Sequence, residues 1–404
     1  MNKLKKAYCR TFQTVFKLAL PFLPYRTPEV VGSVKLLPEI IRREGCENVL
    51  IITDRQIMKL GLTRRLEKAL TEAGISYSIY DETVANPTTA NVAEALELYH
   101  KDGCDAIIGF GGGSSMDCAK AVGARAVKPK QSLAKMKGIL KVHKKLPLLI
   151  AVPTTAGTGS ETTLAAVITD AETRHKYAIN DFPLIPRYAV LDPKVTLSLP
   201  PFVTATTGMD ALTHAVEAYI GNSTTRGTRK DALMAVDLIF HNIDTAYTNG
   251  SDIDARRNML HASYYAGCAF TKSYVGYVHA VAHSLGGEYN IPHGFANAVL
   301  LPYVLQEYGE TIHKKLCKLA VAAGICSKDT PQEQAANAFI DEIKAMKQRF
   351  GIANTIPQIQ EEDIPKLAHY ADKEANPLYP VPVLMDAAEL EKFYQMLMEE
   401  SYDE

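Results

Sequence analysis

The sequence predicts a chain in two parts, an α/β half built on a parallel sheet followed by an all-helical half. Two observations carry this reading. Short apolar runs of buried-strand type alternate with helical segments as far as Pro200-Pro201. Beyond that pair, apolar residues recur every three or four positions with almost no alternation of period two. With 404 residues the chain is long enough to bury two cores. The expected domains are residues 1–200 and 201–404, with residues 1–27 a basic extension of the first. A cleft between them is the expected place for a ligand.

"NVLIITD" (48–54) is a short apolar run, followed by the helical "TRRLEKALTEAG", which ends at Gly74. "ISYSIYD" (75–81) and "TTANVAEALELYHKDG" repeat the pair, with Gly103 as the stop. Then come "DAIIGF" (105–110), another helix, and "LPLLIAV" (146–152). "TTLAAVITD" and "HKYAIN" read as a hairpin, and "YAVLD" (188–192) as a last strand. Nearly continuous apolar strands alternating with helices indicate a parallel sheet covered on both faces. In the second half, "VTATTGMDALTHAVEAYIG", "TRKDALMAVDLIFHNIDTAY" and "DIDARRNMLHASYYAGCAF" carry helical spacing.

Composition narrows the function classes. A net charge of −1 gives no general attraction to nucleic acid, and no apolar run is long enough to cross a bilayer. The seven cysteines are scattered and include no Cys-x-x-Cys pair, which suits a reducing cytoplasm. The opening "MNKLKKAYCRTFQTVFKLALPFLPYR" is basic, with no acid before Glu29. Lys17 and Pro21 interrupt it too early for a secretory signal. A basic helix docked on its own domain or on a neighbouring subunit is favoured over one lying on a membrane surface.

In "DAIIGFGGGSSMDCAKAVG" a strand runs into Gly111–Gly113, and Ser114-Ser115 open a helix. Glycines let backbone approach an anion, and a helix start offers free N–H groups and partial positive charge. The spacing matches neither G-x-G-x-x-G nor a P-loop. A second loop, "VPTTAGTGSET" (152–162), supplies hydroxyls after another strand. Two such loops at the carboxyl edge of one sheet favour a nucleotide over two empty turns. Asp54 ends the first strong strand and could grip ribose hydroxyls, but in the usual dinucleotide fingerprint the acid follows the glycine loop, whereas here it precedes it. A helix cap is the alternative for Asp54.

Only eleven histidines occur, yet His279, His283 and His293 crowd into "VHAVAHSLGGEYNIPHGF". Asp210 and His214 in "GMDALTHAVEAY" are four apart on a helix, as are His279 and His283, so each pair shares a face. These five residues could supply a four-ligand divalent site. Position 280 is Ala, so the His-Glu-x-x-His protease pattern is absent.

The segments "GGGSSMDCAK", "VPTTAGTGSE", "GMDALTHAVEAY" and "VHAVAHSLGGEYNIPHGFANAVLLP" resemble those of the iron-dependent, group III alcohol dehydrogenases, in order and spacing, from about Val31 to about Pro302. The resemblance implies a Rossmann-like NAD-binding domain and a helical metal-binding, catalytic domain. It makes Asp210, His214, His279 and His293 the metal ligands and His283 a proton carrier. It gives NAD to Asp54, Asn86, Gly112, Gly113, Ser114, Thr154, Thr155, Thr158 and Lys176. The family leans to Fe(II), with zinc in some members. Asp54 would repel a 2′-phosphate, although relatives with this acid are not all strict, which leaves NADP open.

The implied function is reversible hydride transfer between NAD and a small primary or secondary alcohol, in a cytoplasmic homodimer or higher homo-oligomer. Phe270 corresponds to a substrate-pocket position of the family. Lys272, if it faced the substrate, would favour an anionic one; a solvated lysine is the favoured reading. The alternatives are an NAD- and metal-dependent lyase resembling dehydroquinate synthase, or a non-catalytic metal- and nucleotide-binding structural protein.

Overall fold

The computed structural model describes residues 1–173 and 176–398. It divides into an α/β unit, Pro24–Leu199 with Ser251–Leu260, and a helical unit formed by Met1–Leu23, Pro200–Gly250 and the chain from His261 onward.

In the α/β unit nine strands are described: β1 Glu29–Val31, β2 Asn48–Ile52, β3 Ser76–Tyr80, β4 Ala106–Gly111, β5 Gly138–Ile139, β6 Leu148–Pro153, β7 Ala165–Thr169, β8 Lys176–Asn180 and β9 Tyr188–Val190. Six form one parallel sheet in the order β1-β9-β6-β4-β2-β3. The central strands carry the unbroken apolar runs because both faces are covered: Val49 to Ile52 and Ala106 to Ile108 are wholly buried. The expected hairpin forms as antiparallel β7 and β8, with β5 alongside. Of the segment "HKYAIN", His175 lies outside the described residues.

The order of strand addition reverses at β2, since β3 adds on one side and β4 on the other. The crevice at the carboxyl ends of β2 and β4 is therefore the switch point where sheets of this kind bind ligands. Asp54 follows β2 and the glycine run follows β4.

The helical unit is organised by the Pro201–Ile220 helix, which is buried almost continuously from Thr204 to Ile220. A helix apolar on all sides belongs inside a bundle. The Arg226–Thr248 and His293–Tyr308 helices pack against it.

The two compact units are drawn differently from the expected domain division in two segments. The Lys3–Ala19 helix was expected with the first domain, but Met1–Leu23 belongs to the helical unit. Lys5 pairs with Asp372 at 2.7 Å, Arg10 donates to the carbonyls of Val381 and Pro382, and Gln13 donates to the carbonyl of Tyr379. Ser251–Leu260 goes the other way, into the α/β unit. The residues of its helix, Ile253–Ser273, are divided between the two units.

Candidate metal and nucleotide sites

Asp210 and His214 lie one turn apart on the Pro201–Ile220 helix. His279 lies on the Tyr277–Tyr289 helix, and His293 is the first residue of the His293–Tyr308 helix. These four residues each direct one ligand atom into a space where all lie within 4.8 Å of one another. Asp210 Oδ1 is 3.6 Å from His293 Nε2, 3.9 Å from His279 Nε2 and 4.0 Å from His214 Nδ1. Ligands about 2.1 Å from one ion stand roughly 3 to 4.2 Å apart, and the three Asp210 separations fall in that range.

The donor chemistry fits as well. His279 Nε2 is buried and has no hydrogen-bond partner, while its Nδ1 lies 2.6 Å from Glu217 Oε2. A buried polar atom with no partner is costly unless something else satisfies it. Burial, aided by the neighbouring His214, His293 and His283, holds the His279 pKa well below the ordinary histidine range, so the ring is neutral and able to ligate. Asn297, one turn beyond His293, donates to Asp210 Oδ1 at 2.7 Å and lies 3.0 Å from His293 Nε2.

His283 is beside the cluster and outside the ligand group. Its ring stacks on His293, with centroids 5.0 Å apart, and its Nδ1 lies 2.6 Å from Glu374 Oε1. The same oxygen accepts the Tyr379 hydroxyl at 2.7 Å. Burial pushes the Glu374 carboxyl up, but the His283 charge and hydrogen bond, the Tyr379 hydroxyl and the His293 charge together bring it below its ordinary value. Phe270 stacks on His214, with ring centroids 4.1 Å apart. Lys272 is half-buried and acts electrostatically on Asp231.

In the α/β unit the two loops meet. β4 and β6 pair through Gly111 and Pro153, and the Thr154 N–H donates to the Gly111 carbonyl at 2.9 Å. Gly111 has φ +152°, and a Cβ there would fall 2.5 Å from Ser115 Oγ, so only glycine fits. Gly112 and Gly113 open the Gly113–Val127 helix with no side-chain cap, facing Thr155 and Thr158. Thr155 Oγ1 is buried without a partner, as a hydroxyl awaiting a phosphate oxygen would be.

Asp54 caps a short helix by accepting from the Ile57 N–H at 2.9 Å, and its Oδ2 lies 3.5 Å from Ser115 Oγ. The cap reading and a place beside the glycine loop therefore both hold. Asn86, left-handed at φ 58°, donates its N–H to Ser114 Oγ and accepts from Lys176 Nζ at 2.7 Å. All nine residues expected at the nucleotide thus lie on or beside these two loops.

Sequence reasoning missed Glu217, Asn297 and Glu374. Glu217 could have been found, since it lies seven residues after Asp210 on the same helical face. Asn297 lies four residues after His293, also on one helical face. Nothing in "ADKEANPLYP" announces Glu374. Lys120, buried in the glycine-loop helix, also went unread; it donates to Ser160, Thr163 and the Ala165 carbonyl.

The chain is similar to known proteins along most of its length. The family model for iron-containing alcohol dehydrogenase matches residues 29–193, and that for the C-terminal part of the Fe-containing alcohol dehydrogenase family matches 204–398. Alcohol dehydrogenase 4 of Schizosaccharomyces pombe is 39% identical over 350 residues, covering 84% of this chain and 81% of that protein. The crystal structure of a 1,3-propanediol oxidoreductase superposes with a TM-score of 0.89 at 35% identity, over 92% of this chain and 99% of that one. Sulfoacetaldehyde reductase from Bifidobacterium kashiwanohense, solved in complex with NAD+, gives a TM-score of 0.82 at 28% identity, over 94% and 99%. The chain belongs to the iron-containing alcohol dehydrogenase family.

Proposed function

We propose that Asp210, His214, His279 and His293 hold one divalent ion, Fe(II) ahead of Zn(II), and that Asp54, Asn86, Gly112, Gly113, Ser114, Thr154, Thr155, Thr158 and Lys176 hold NAD. The enzyme is a metal-dependent alcohol and aldehyde oxidoreductase, and its reaction is reversible hydride transfer between NAD and a small primary or secondary alcohol. The observation that carries the reading is the convergence of four ligand atoms within 4.8 Å around a buried, unpartnered His279 Nε2.

One carboxylate and three neutral imidazoles leave a bound dication a net charge near +1, which supplies Lewis-acid polarisation of a carbonyl or hydroxyl oxygen. NAD supplies the hydride acceptor or donor at nicotinamide C4. The protein's own residues bind, orient and move protons. Glu217 fixes the ring of His279, and Asn297 fixes the carboxylate of Asp210. Phe270 walls His214 on the substrate side. His283, stacked on His293 yet 39% exposed, carries the hydroxyl proton between substrate and solvent.

Asp54 favours NAD over NADP by charge. Seven free cysteines suit a reducing cytoplasm, where we place the enzyme as a homodimer or higher homo-oligomer. No helix among the described residues is long and apolar enough to cross a membrane. A dehydroquinate-synthase-like lyase would need Glu in the ligand set, where this cluster has Asp210.

The test is a panel of aldehydes and alcohols run with NAD(H) and NADP(H) on protein reconstituted with Fe(II) or Zn(II). Stoichiometric NADH oxidation with small aldehydes is expected, whereas a lyase would recycle its NAD within one turnover. Full metal occupancy with no NADH oxidation across the panel would hand the chain to the non-catalytic reading.

A further inference from the structure

We infer that Glu374 and Tyr379 are positioning residues that fix the tautomer and the aim of His283; the inference rests on His283 as the proton carrier. Glu374 is the next-to-last residue of the Ile364–Ala375 helix, 91 residues beyond His283, and brings a single oxygen, Oε1, to 2.6 Å from His283 Nδ1. A bare Nδ1 lone pair facing a carboxylate oxygen at that distance would be repulsive. Only the tautomer with hydrogen on Nδ1 fits, which puts the basic lone pair on Nε2.

The carboxylate is itself held. Tyr379 donates its hydroxyl to the same Oε1 at 2.7 Å, and burial keeps that phenol protonated far above neutral pH. Tyr379 sits on a segment clipped from outside by the Lys3–Ala19 helix. Gln13 Nε2 donates to the Tyr379 carbonyl at 2.7 Å, and Arg10 donates to the carbonyls of Val381 and Pro382, both at 2.7 Å. The Tyr379 ring lies against Tyr274, which receives Phe16 from the same helix edge-on at 5.1 Å. So the aim of His283 is set by a chain of contacts running back to the basic N-terminal helix.

In alcohol oxidation His283 Nε2 would accept the hydroxyl proton as the C=O bond forms, and bound NAD would supply the acceptor for the hydride. The carboxylate at Nδ1 then faces the imidazolium until Nε2 releases the proton to solvent. In aldehyde reduction each transfer reverses. Loss of Glu374 would leave the ring free to rotate and to change tautomer, misplacing Nε2.

The experiment uses the full-length, zinc-loaded enzyme with wild type, E374A, E374Q, Y379F, H283A and the H283A/E374A double variant. We expect E374A to lower kcat roughly 10- to 100-fold, with the KM for NAD and the zinc content unchanged. E374Q keeps an acceptor oxygen and should recover most of that loss. Y379F, a milder change that keeps the fold, should cost a few-fold. In the H283A background E374A should cost nothing further, because both act through one ring.

An independent readout is NMR of protein carrying 15N-labelled histidine. A strongly downfield Nδ1–H resonance should be present in wild type and E374Q and absent from both E374A and H283A. The inference is overturned if E374A keeps that resonance, if it loses zinc in parallel with activity, or if it slows the H283A enzyme by the same factor as wild type. H283A with wild-type kcat would instead remove the proton-carrier reading, a result distinct from any change in the resonance.

Discussion

Glu217 Oε2 lies 2.6 Å from His279 Nδ1, and the same carboxylate accepts the backbone N–H groups of Gly276 and Val278, each at 2.8 Å. One buried side chain therefore satisfies two donors at the start of the Tyr277–Tyr289 helix and sets the tautomer of His279 on it. Glutamine could accept on only one oxygen and would turn its NH2 toward a donor. We expect E217Q to weaken zinc binding roughly 10- to 100-fold. Competition with a chromophoric chelator measures this, and wild-type affinity in E217Q would show that the carboxylate does not orient the ligand.

The helix bearing His293 approaches the Asp210 helix as closely as backbone allows. A Cβ on Gly294 would fall 2.6 Å from the Thr206 carbonyl oxygen and 3.4 Å from Asp210 Cβ. Overpacking of this kind costs about 1–3 kcal/mol, and here the strain is relieved by moving His293 away. G294A is expected to melt several degrees lower and to purify with substoichiometric metal. Unchanged metal content would mean that the helix start adjusts without disturbing its first residue.

Asp54 serves two purposes that a substitution can separate. Asparagine caps a helix as well as aspartate does, so D54N should retain the bond to the Ile57 N–H and the melting temperature. It removes the charge that would oppose a 2′-phosphate. The preference in kcat/KM for NAD over NADP should fall by roughly tenfold or more, about 1.4 kcal/mol. An unchanged ratio would place the discrimination elsewhere.

Lys120 gives a pH dependence of stability with a definite sign. Burial lowers its pKa from the ordinary 10.5 to about 8, against the opposing pull of Asp117 and Glu161. Between those two values the unfolded chain holds a proton that the folded protein has released. Folded stability attributable to this group therefore rises with pH across the window, by up to about 3 kcal/mol. The difference in urea midpoint between wild type and K120M should shift in favour of wild type from pH 8 to 10.5, and a constant difference would contradict it.

What could be read from the sequence followed from burial. β2, β4 and β6 are covered on both faces and so write unbroken apolar runs, whereas β1 and β5, three and two residues long, are too short to leave a pattern. Asp210 with His214, and His279 with His283, were legible as pairs because both partners of each lie one turn apart on one helix. Glu374 and the docking of the Lys3–Ala19 helix were not, because each depends on a segment hundreds or scores of residues away that only the fold brings near. Arg10 and Gln13 read as members of a basic, polar helix until their backbone acceptors, four carbonyls near the other end of the chain, are known.

The most direct measurement is anomalous diffraction at the iron and zinc absorption edges from crystals grown with the metal supplied. We expect one peak, about 2.0–2.3 Å from a carboxylate oxygen of Asp210 and from one ring nitrogen each of His214, His279 and His293. No peak among those four side chains at saturating metal, or one bound elsewhere while they stay bare, would contradict it.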